Sequence, residues 1–338
     1  AMSKGWILHQ MYVKNASLHS ELQEEVYLDQ PPGYEDLSHP DYVCRLRKAL
    51  YGLKHAPRAW HDKIAEYLVT IGFRMMSDAD HSLYVRKSDK GIVVITIYVD
   101  DLIVTGDSGN GIAKVKEMLC AEFDMKDLGD LRYFLGIEVV RCKDGIWLVQ
   151  RHFALEMLAK YGMTGCKPMS TPLEQNVKLW ADLGDELDDV TMYRKMVGSL
   201  IYLTITRPDL SYAVGLVSQF MQSPRKPHLD ALRRIMRYVK ASAHYGLFYA
   251  HGRDLDVHGF TDADWAGSSY DRRSTSGYAF TLGSAVVSWS SKKQPTVALS
   301  STEAEYRGAA MATCDVMWLK KMLKDLGEHH DEKVVMYC

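Results

Sequence analysis

Two neighbouring aspartates between apolar runs are the strongest chemical feature of this sequence. Tyr98-Val99-Asp100-Asp101 joins residues 92–98, β-branched and aromatic, to residues 102–105, and the pattern reads as two paired strands with a tight hairpin between them. Adjacent carboxylates in apolar surroundings are costly unless a cation compensates them. A divalent metal does so, and Mg2+ favours carboxylate oxygens together with substrate phosphates. The same pair also reads as a solvated Asp-Asp turn, because Asp is a preferred turn residue. A second acidic set is Thr261-Asp262-Ala263-Asp264-Trp265, with Ser301-Thr302-Glu303-Ala304-Glu305-Tyr306 downstream. Asp262 stands at the end of a strand and Glu305 near the start of a helix, an arrangement able to clamp a metal for phosphodiester cleavage. The competing reading makes Ser301 or Thr302 a helix cap, with Glu303 and Glu305 favouring the positive end of the helix.

Gly106-Asp107-Ser108-Gly109-Asn110-Gly111 follows a strand and precedes a helix, as a phosphate loop would. A Walker loop needs Lys after its last Gly, where Ile112 stands, and the dinucleotide fingerprint needs Gly where Lys114 stands. The run is therefore read as a flexible turn. Two basic groups remain: Lys48, Lys54 and Arg58 around Gly52, and Arg225, Lys226, Arg233, Arg234, Arg237 and Lys240. The second group either follows a phosphate backbone or forms the solvated face of an amphipathic helix. Neither a His-Glu-x-x-His zinc motif nor a Gly-x-Ser-x-Gly nucleophile elbow occurs.

The elements that must position these residues can be read from periodicity. Residues 6–13 form a strand. Trp60, Ile64, Leu68 and Ile71 recur at helical spacing after Pro57, and Gly72 stops that helix. Ile112, Val115, Met118 and Leu119 mark a second helix. Residues 130–140 and 145–150 read as a strand pair, followed by a loop with Pro168 and Pro172. Residues 191–239 are mostly helical, with breaks at Arg207-Pro208-Asp209 and around residues 224–227. Short strands follow at 257–261, 277–281 and 286–290, then a helix at 301–326 and a final strand beginning at Lys333.

Composition sets the outer bounds. The 338 residues are 47% hydrophobic and 25% charged, normal for a folded protein of two or three domains. The net charge of −2 is not the global footprint of a nucleic-acid binder, so any basic surface must be local. The longest strongly apolar stretch, residues 92–99, is far shorter than the roughly 20 residues a membrane-spanning helix needs. Residues 1–5 lack the features of a signal peptide. The 6 cysteines fall at no zinc-ligand spacing and read as reduced thiols in an intracellular protein.

Together these stretches resemble the reverse transcriptase and RNase H portion of a copia-type LTR retrotransposon Pol polyprotein. The resemblance is carried by Val13-Lys14-Asn15-Ala16, Glu24-Glu25-Val26-Tyr27 through Gln30-Pro31-Pro32-Gly33-Tyr34, Lys48-Ala49-Leu50-Tyr51-Gly52-Leu53-Lys54 and Ala56-Pro57-Arg58-Ala59-Trp60. It continues through Tyr98-Val99-Asp100-Asp101, Asp127-Leu128-Gly129, Tyr133-Phe134-Leu135-Gly136-Ile137-Glu138 and Arg207-Pro208-Asp209-Leu210. It ends with Asp262-Ala263-Asp264-Trp265-Ala266-Gly267, Ser276-Gly277-Tyr278, Trp289-Ser290-Ser291-Lys292-Lys293-Gln294 and residues 299–306.

The resemblance implies an α+β fold: a right-hand polymerase with partial fingers, palm and thumb/connection, then an incomplete RNase H-like α/β domain. Expected boundaries are 1–175 for fingers and palm, 176–250 for the helical thumb/connection and 251–338 for the RNase H-like domain. It implies two Mg2+ ions, with Asp100 and Asp101 as polymerase carboxylates and Asp262 and Glu305 as RNase H carboxylates, all four serving as metal ligands. Gly52, Lys54, Arg58, Ser17, Lys292 and Lys293 are the implied nucleotide- or nucleic-acid-binding residues. The implied partners are an RNA template, a DNA primer, RNA–DNA hybrid and dNTPs, with other Pol or Gag-like proteins; no membrane is involved. The implied location is intracellular, in the cytoplasm within a virus-like particle or in the nucleus.

Three positions depart from the family pattern. Tyr12 stands where the pattern has Asp, and a phenol with an ordinary pKa near 10 cannot replace a carboxylate. Ser17 stands where the pattern has an aromatic residue that screens the sugar 2′-position, and Ser20 where it has Gly. The pattern places further carboxylates beyond Cys338 and a fingers segment before Trp6, so an unpaired sheet edge is expected next to residues 334–338. The expectation is therefore a truncated, catalytically impaired reverse transcriptase–RNase H chain. The alternatives are a non-catalytic nucleic-acid-binding or interaction protein retained from a retroelement, and a working RNase H alone.

Overall fold

Strand alternation turns one face of the first sheet toward two helices. In the computed structural model, which describes all residues except 23, 77–79, 176, 253–254 and 329–332, the chain divides into two units. The first holds residues 3–131 with residues 1 and 325–327, and the second holds residues 132–324 with residues 2 and 328–338. The expected boundaries near 175 and 250 both fall inside the second unit, and residue 176 lies outside the described residues.

The first unit contains β1 (His9–Val13), β2 (Tyr27–Asp29), β3 (Val43–Arg45), α1 (Ala56–Thr70), β4 (Arg74–Met75), β5 (Leu83–Ser88), β6 (Gly91–Tyr98), β7 (Asp101–Gly106), α2 (Gly109–Glu122) and β8 (Met125–Asp130). Six of these strands form a sheet of order β4-β5-β6-β7-β1-β8 in which each pair is antiparallel. Met11, Val13, Ile95, Ile97, Leu102 and Val104 point to one side and pack against Trp60, Ile64 and Leu68 of α1 and Ile112, Val115 and Leu119 of α2. The helical spacing read after Pro57 thus marks the buried stripe of α1.

The glycine-rich run proves to be a strand end and a helix cap, pinned rather than flexible. Gly106 has φ +153°, and a Cβ there would lie 2.0 Å from the carbonyl oxygen of Ile92. Asp107 accepts a hydrogen bond from the Ile92 amide at 2.6 Å, and Ser108 Oγ accepts one from the Gly111 amide at the start of α2. Asp107 and Ser108 thus both serve the fold itself.

The second unit contains β9 (Tyr133–Phe134), β10 (Ile137–Cys142), β11 (Gly145–Val149), α3 (Arg151–Lys160), α4 (Val190–Leu203), α5 (Ser211–Ser218), α6 (Lys226–Ala241), β12 (Gly246–Ala250), β13 (Val257–Ala263), β14 (Thr275–Leu282), β15 (Ala285–Lys293), α7 (Ser301–Asp325) and β16 (Val335–Tyr337). The strand expected over 130–140 is broken by Leu135 and Gly136, both at positive φ, into β9 and β10. Strands order as β12-β11-β10-β9 in one sheet and β15-β14-β13-β16 in another, with β16 parallel to β13. Helices α3 to α6 share a core of Met157, Tyr193, Leu200, Val217, Leu232 and Ile235.

Arg207 is 2% exposed and ties this helical core together. Its guanidinium donates to both carboxylate oxygens of Asp209, at 2.9 and 2.7 Å, and to the carbonyl and hydroxyl oxygens of Ser242. Burial opposes ionisation of Asp209, but Arg207 and the Tyr238 hydroxyl outweigh it and hold this carboxyl below its ordinary range. The break read at Arg207-Pro208-Asp209 is therefore a structural lock.

Candidate active site

The hairpin between β6 and β7 has only Val99 and Asp100 outside the strands, and Asp101 already pairs with Tyr98. Val99 has φ 49°, in the left-handed region. For a β-branched residue this is a true outlier, and such strain costs about 1–3 kcal/mol. Three contacts hold the turn. The Trp60 indole Nε1 donates to the Val99 carbonyl at 2.7 Å, the Val13 amide donates to the Asp100 carbonyl at 2.8 Å, and Gln10 Nε2 donates to Asp101 Oδ1 at 3.1 Å. Burial first, and then the neighbouring charge of Asp101, raise the Asp100 carboxyl above its ordinary pKa.

Register places Tyr12 directly opposite Asp101 across β1 and β7, with Lys126 opposite Tyr12 on the other side. Gln10, two residues earlier on β1, shares this face, while Met11 and Val13 point into the core. Tyr12 is 39% exposed. The side chains present suit a hard divalent cation in part: two adjacent carboxylates offer oxygen donors, and Tyr12 sets a phenol rather than a carboxylate opposite Asp101. Among the described residues, no three His, Cys, Asp or Glu side chains cluster as a metal-holding group.

The other residues singled out in this unit lie around the first turn of α1 and the short 3-10 turn Ala16–His19. Gly52 and Lys54 are exposed in the loop before α1. Arg58 lines an open cavity of about 550 Å³ with Ser20, Glu21, His55, Asp62 and Lys63. Ser17 lies in the 3-10 turn, where its carbonyl accepts from the Ser20 amide at 3.2 Å. Ser20 is 1% exposed, and its buried hydroxyl oxygen has no hydrogen-bond partner.

In the second unit, α7 crosses β13 and β14, where a Cβ on Gly308 would approach Thr261, Ala263 and Ser276. Asp262 is exposed near the end of β13 opposite Gly277, and alternation buries its neighbours Thr261 and Ala263. Glu305 lies one turn before Gly308, and its Oε2 is buried without a partner. The nearby acidic residues have other duties. Glu303 accepts from the Leu299 amide and from Arg307, which hold its carboxyl below the ordinary range. Asp264 accepts from the Thr275 amide at 2.6 Å. Gln294 Nε2 donates to Ser276 Oγ and to the Ala304 carbonyl, joining β14 to the helix beside Glu305.

The basic residues divide likewise. Lys292 is exposed. Lys293 is paired with Asp271 at 2.9 Å and donates to Gln219. Despite burial, Lys293 and Ser268 hold the Asp271 carboxyl down to about 2. Along α6, Arg225 binds the Ala181 and Gly184 carbonyls and Glu186, Arg234 binds Glu174 and Thr171, and Arg237 and Lys240 bind the carbonyls of Lys167 and Cys166. This cluster is a clamp on the 166–186 segment.

Trp60 and Gln10 were not singled out by sequence. Trp60 reads simply as core at helical spacing, although its indole also bears a donor. Gln10 was detectable in principle, since a period of two from Tyr12 puts it on the same strand face.

The first unit thus presents a turn of paired carboxylates on a sheet backed by two helices. The reverse transcriptase (RNA-dependent DNA polymerase) family model matches residues 1–175, and the chain belongs to this family. The Retrovirus-related Pol polyprotein from transposon RE1 of Arabidopsis thaliana is 46% identical over 338 residues, covering 100% of this chain and 23% of that protein. The corresponding polyprotein from transposon TNT 1-94 of Nicotiana tabacum is 39% identical over 341 residues, covering 98% of this chain and 26% of that protein. A transposon Ty5-1 protein of Saccharomyces cerevisiae is 36% identical over 309 residues, covering 90% of this chain and 100% of that protein. The chain thus spans about a quarter of the length of the two Pol polyproteins, and the copia-type resemblance read from its motifs holds across the chain. The structure is mixed α/β, as that family requires. Among the described residues, no helix is long and apolar enough to cross a membrane.

Proposed function

We propose that the chain carries the RNA-directed DNA polymerase module of a copia-type element, and that its polymerase chemistry is impaired. Residues 1–175 form the fingers and palm, 176–250 the thumb/connection and 251–338 an RNase H-like domain. Asp100 and Asp101 are the palm carboxylates and would hold Mg2+. When bound, that cation would supply Lewis-acid activation of a primer hydroxyl and charge neutralisation at the nucleotide phosphates. Gln10 and the β6–β7 turn keep the two carboxylates in place, and Gly52, Lys54 and Arg58 face the nucleotide and template. In the RNase H-like part, Asp262 and Glu305, whose Oε2 is buried without a partner, carry the acidic roles, while Asp264 and Glu303 organise loop and helix. An RNA template, a DNA primer and dNTPs are the substrates.

One observation carries the impairment: Tyr12 faces Asp101 in register, on the exposed side of the sheet. A neutral phenol there removes one charge from the set that would hold the metal. The test is primer extension on an RNA template with Mg2+ and dNTPs. Extension near background is expected for the natural chain. Robust Mg2+-dependent extension that Asp100→Asn abolishes would refute the impairment. A non-catalytic nucleic-acid-binding role would draw on the α6 basic cluster, and those side chains are largely committed to the 166–186 segment.

A further inference from the structure

We propose that Trp60 is a positioning residue for the carboxylate turn, fixing the left-handed conformation of Val99 through its indole N–H and thereby aiming Asp100; this rests on the assignment of Asp100 and Asp101 to the metal site.

A fully buried Trp usually contributes only its large apolar surface, but a buried indole N–H also needs an acceptor. Trp60 is 1% exposed, and its Nε1 lies 2.7 Å from the Val99 carbonyl. Its ring stands edge-on to Phe123, with centroids 5.2 Å apart, so the donor is held in a rigid cluster. The acceptor belongs to the residue with the unfavourable φ of 49°, immediately before Asp100. Rotating the Val99–Asp100 peptide toward a relaxed conformation would swing this carbonyl away and strand the indole donor in the core. The strained turn and the buried donor therefore hold each other. The Val13 amide fixes the next carbonyl, at Asp100, so the peptide on either side of the Asp100 Cα is anchored to a different element. Trp60 also lies on the helix whose first turn carries Arg58. A shift of α1 would thus reach the carboxylates through a single hydrogen bond.

The experiment compares the full chain with Trp60→Phe and with a chain carrying benzothienylalanine at position 60, which keeps the bicyclic shape and lacks the donor. Two quantities are read: the Val99 Cα and carbonyl chemical shifts, which report its φ, and the affinity for Mn2+ alone, measured by paramagnetic relaxation. Loss of an outer support typically weakens metal binding about tenfold to a hundredfold. The expected result is a tenfold or greater loss of Mn2+ affinity together with loss of the left-handed signature at Val99. Adding Val99→Gly should restore most of the affinity, because Gly adopts this conformation without strain. Unchanged shifts and unchanged affinity in both altered chains overturn the proposal. If Trp60→Phe unfolds, the benzothienylalanine chain decides. If Asp100→Asn does not alter Mn2+ binding, the metal assignment fails. The Val99 shifts then still decide whether Trp60 sets the turn.

Discussion

Replacing Tyr12 with Asp should convert a weak cation site into a stronger one, at a measurable stability cost when no metal is bound. Directly opposed residues in an antiparallel pair have Cβ atoms about 5 Å apart, and Tyr12 lies opposite Asp101. Two unit charges at about 5 Å repel by roughly 0.8 kcal/mol in water and about 3 kcal/mol at an effective dielectric constant of 20. Tyr12 is exposed and Asp101 half-buried, so the cost belongs toward the lower end, about 1–2 kcal/mol. Mg2+ at about ten times its dissociation constant would return roughly 1.4 kcal/mol. Thermal melting with EDTA and with Mg2+ provides the assay. Tyr12→Asp should melt below the natural chain in EDTA and gain more from Mg2+ than the natural chain does. Primer extension should rise in parallel, and Asp100→Asn should cancel both gains. Equal Mg2+ shifts in the two proteins, with no added extension, would refute the electrostatic reasoning.

Two further outcomes are expected. Ser20→Ala should raise stability by about 1 kcal/mol in a melting or denaturant assay, because the lost hydroxyl has no partner to leave behind; an unchanged or lower midpoint would mean that this hydroxyl is satisfied. His228 is buried, accepts from the Arg225 amide at Nδ1 and lies 3.0 Å from the Trp180 carbonyl at Nε2, with burial and then Arg225 lowering its pKa. The unfolded chain therefore binds the proton first, so stability should fall as pH drops below about 6.5; His228→Asn should flatten that part of the pH–stability curve.

The legible parts of this fold were those where periodicity and local chemistry agree. The stripe of Trp60, Ile64 and Leu68 marked α1, and the apolar runs on either side of Asp100 and Asp101 marked β6 and β7. Helix α3 was not legible because it follows a strand directly and starts after Gln150, whose side chain is spent on Tyr202 and Thr206 rather than on a cap. The basic face of α6 misled in a different way. Sequence gives the sign of a charge and not its partner, and here backbone carbonyls 40 or more residues away share the cluster about equally with distant side chains. Glu303 and Glu305 show the same limit: identical side chains two positions apart, one consumed by Leu299 and Arg307 and the other with a buried oxygen lacking any partner.

The period of two along β1 explains how the side chain at Tyr12 can change without disturbing the fold. Met11 and Val13 face the core and are 0% exposed, whereas Tyr12 between them faces outward. A substitution at Tyr12 leaves the packing of α1 and α2 on the sheet intact and changes only the charge presented beside Asp101. The strain at Val99 has the opposite character. It is held by a core donor, Trp60, so its persistence requires no bound metal. The conformation of the β6–β7 turn is therefore set by the core and not by the charges presented beside it. That separation is why introducing one carboxylate at Tyr12, with no second change to the fold, is the informative experiment.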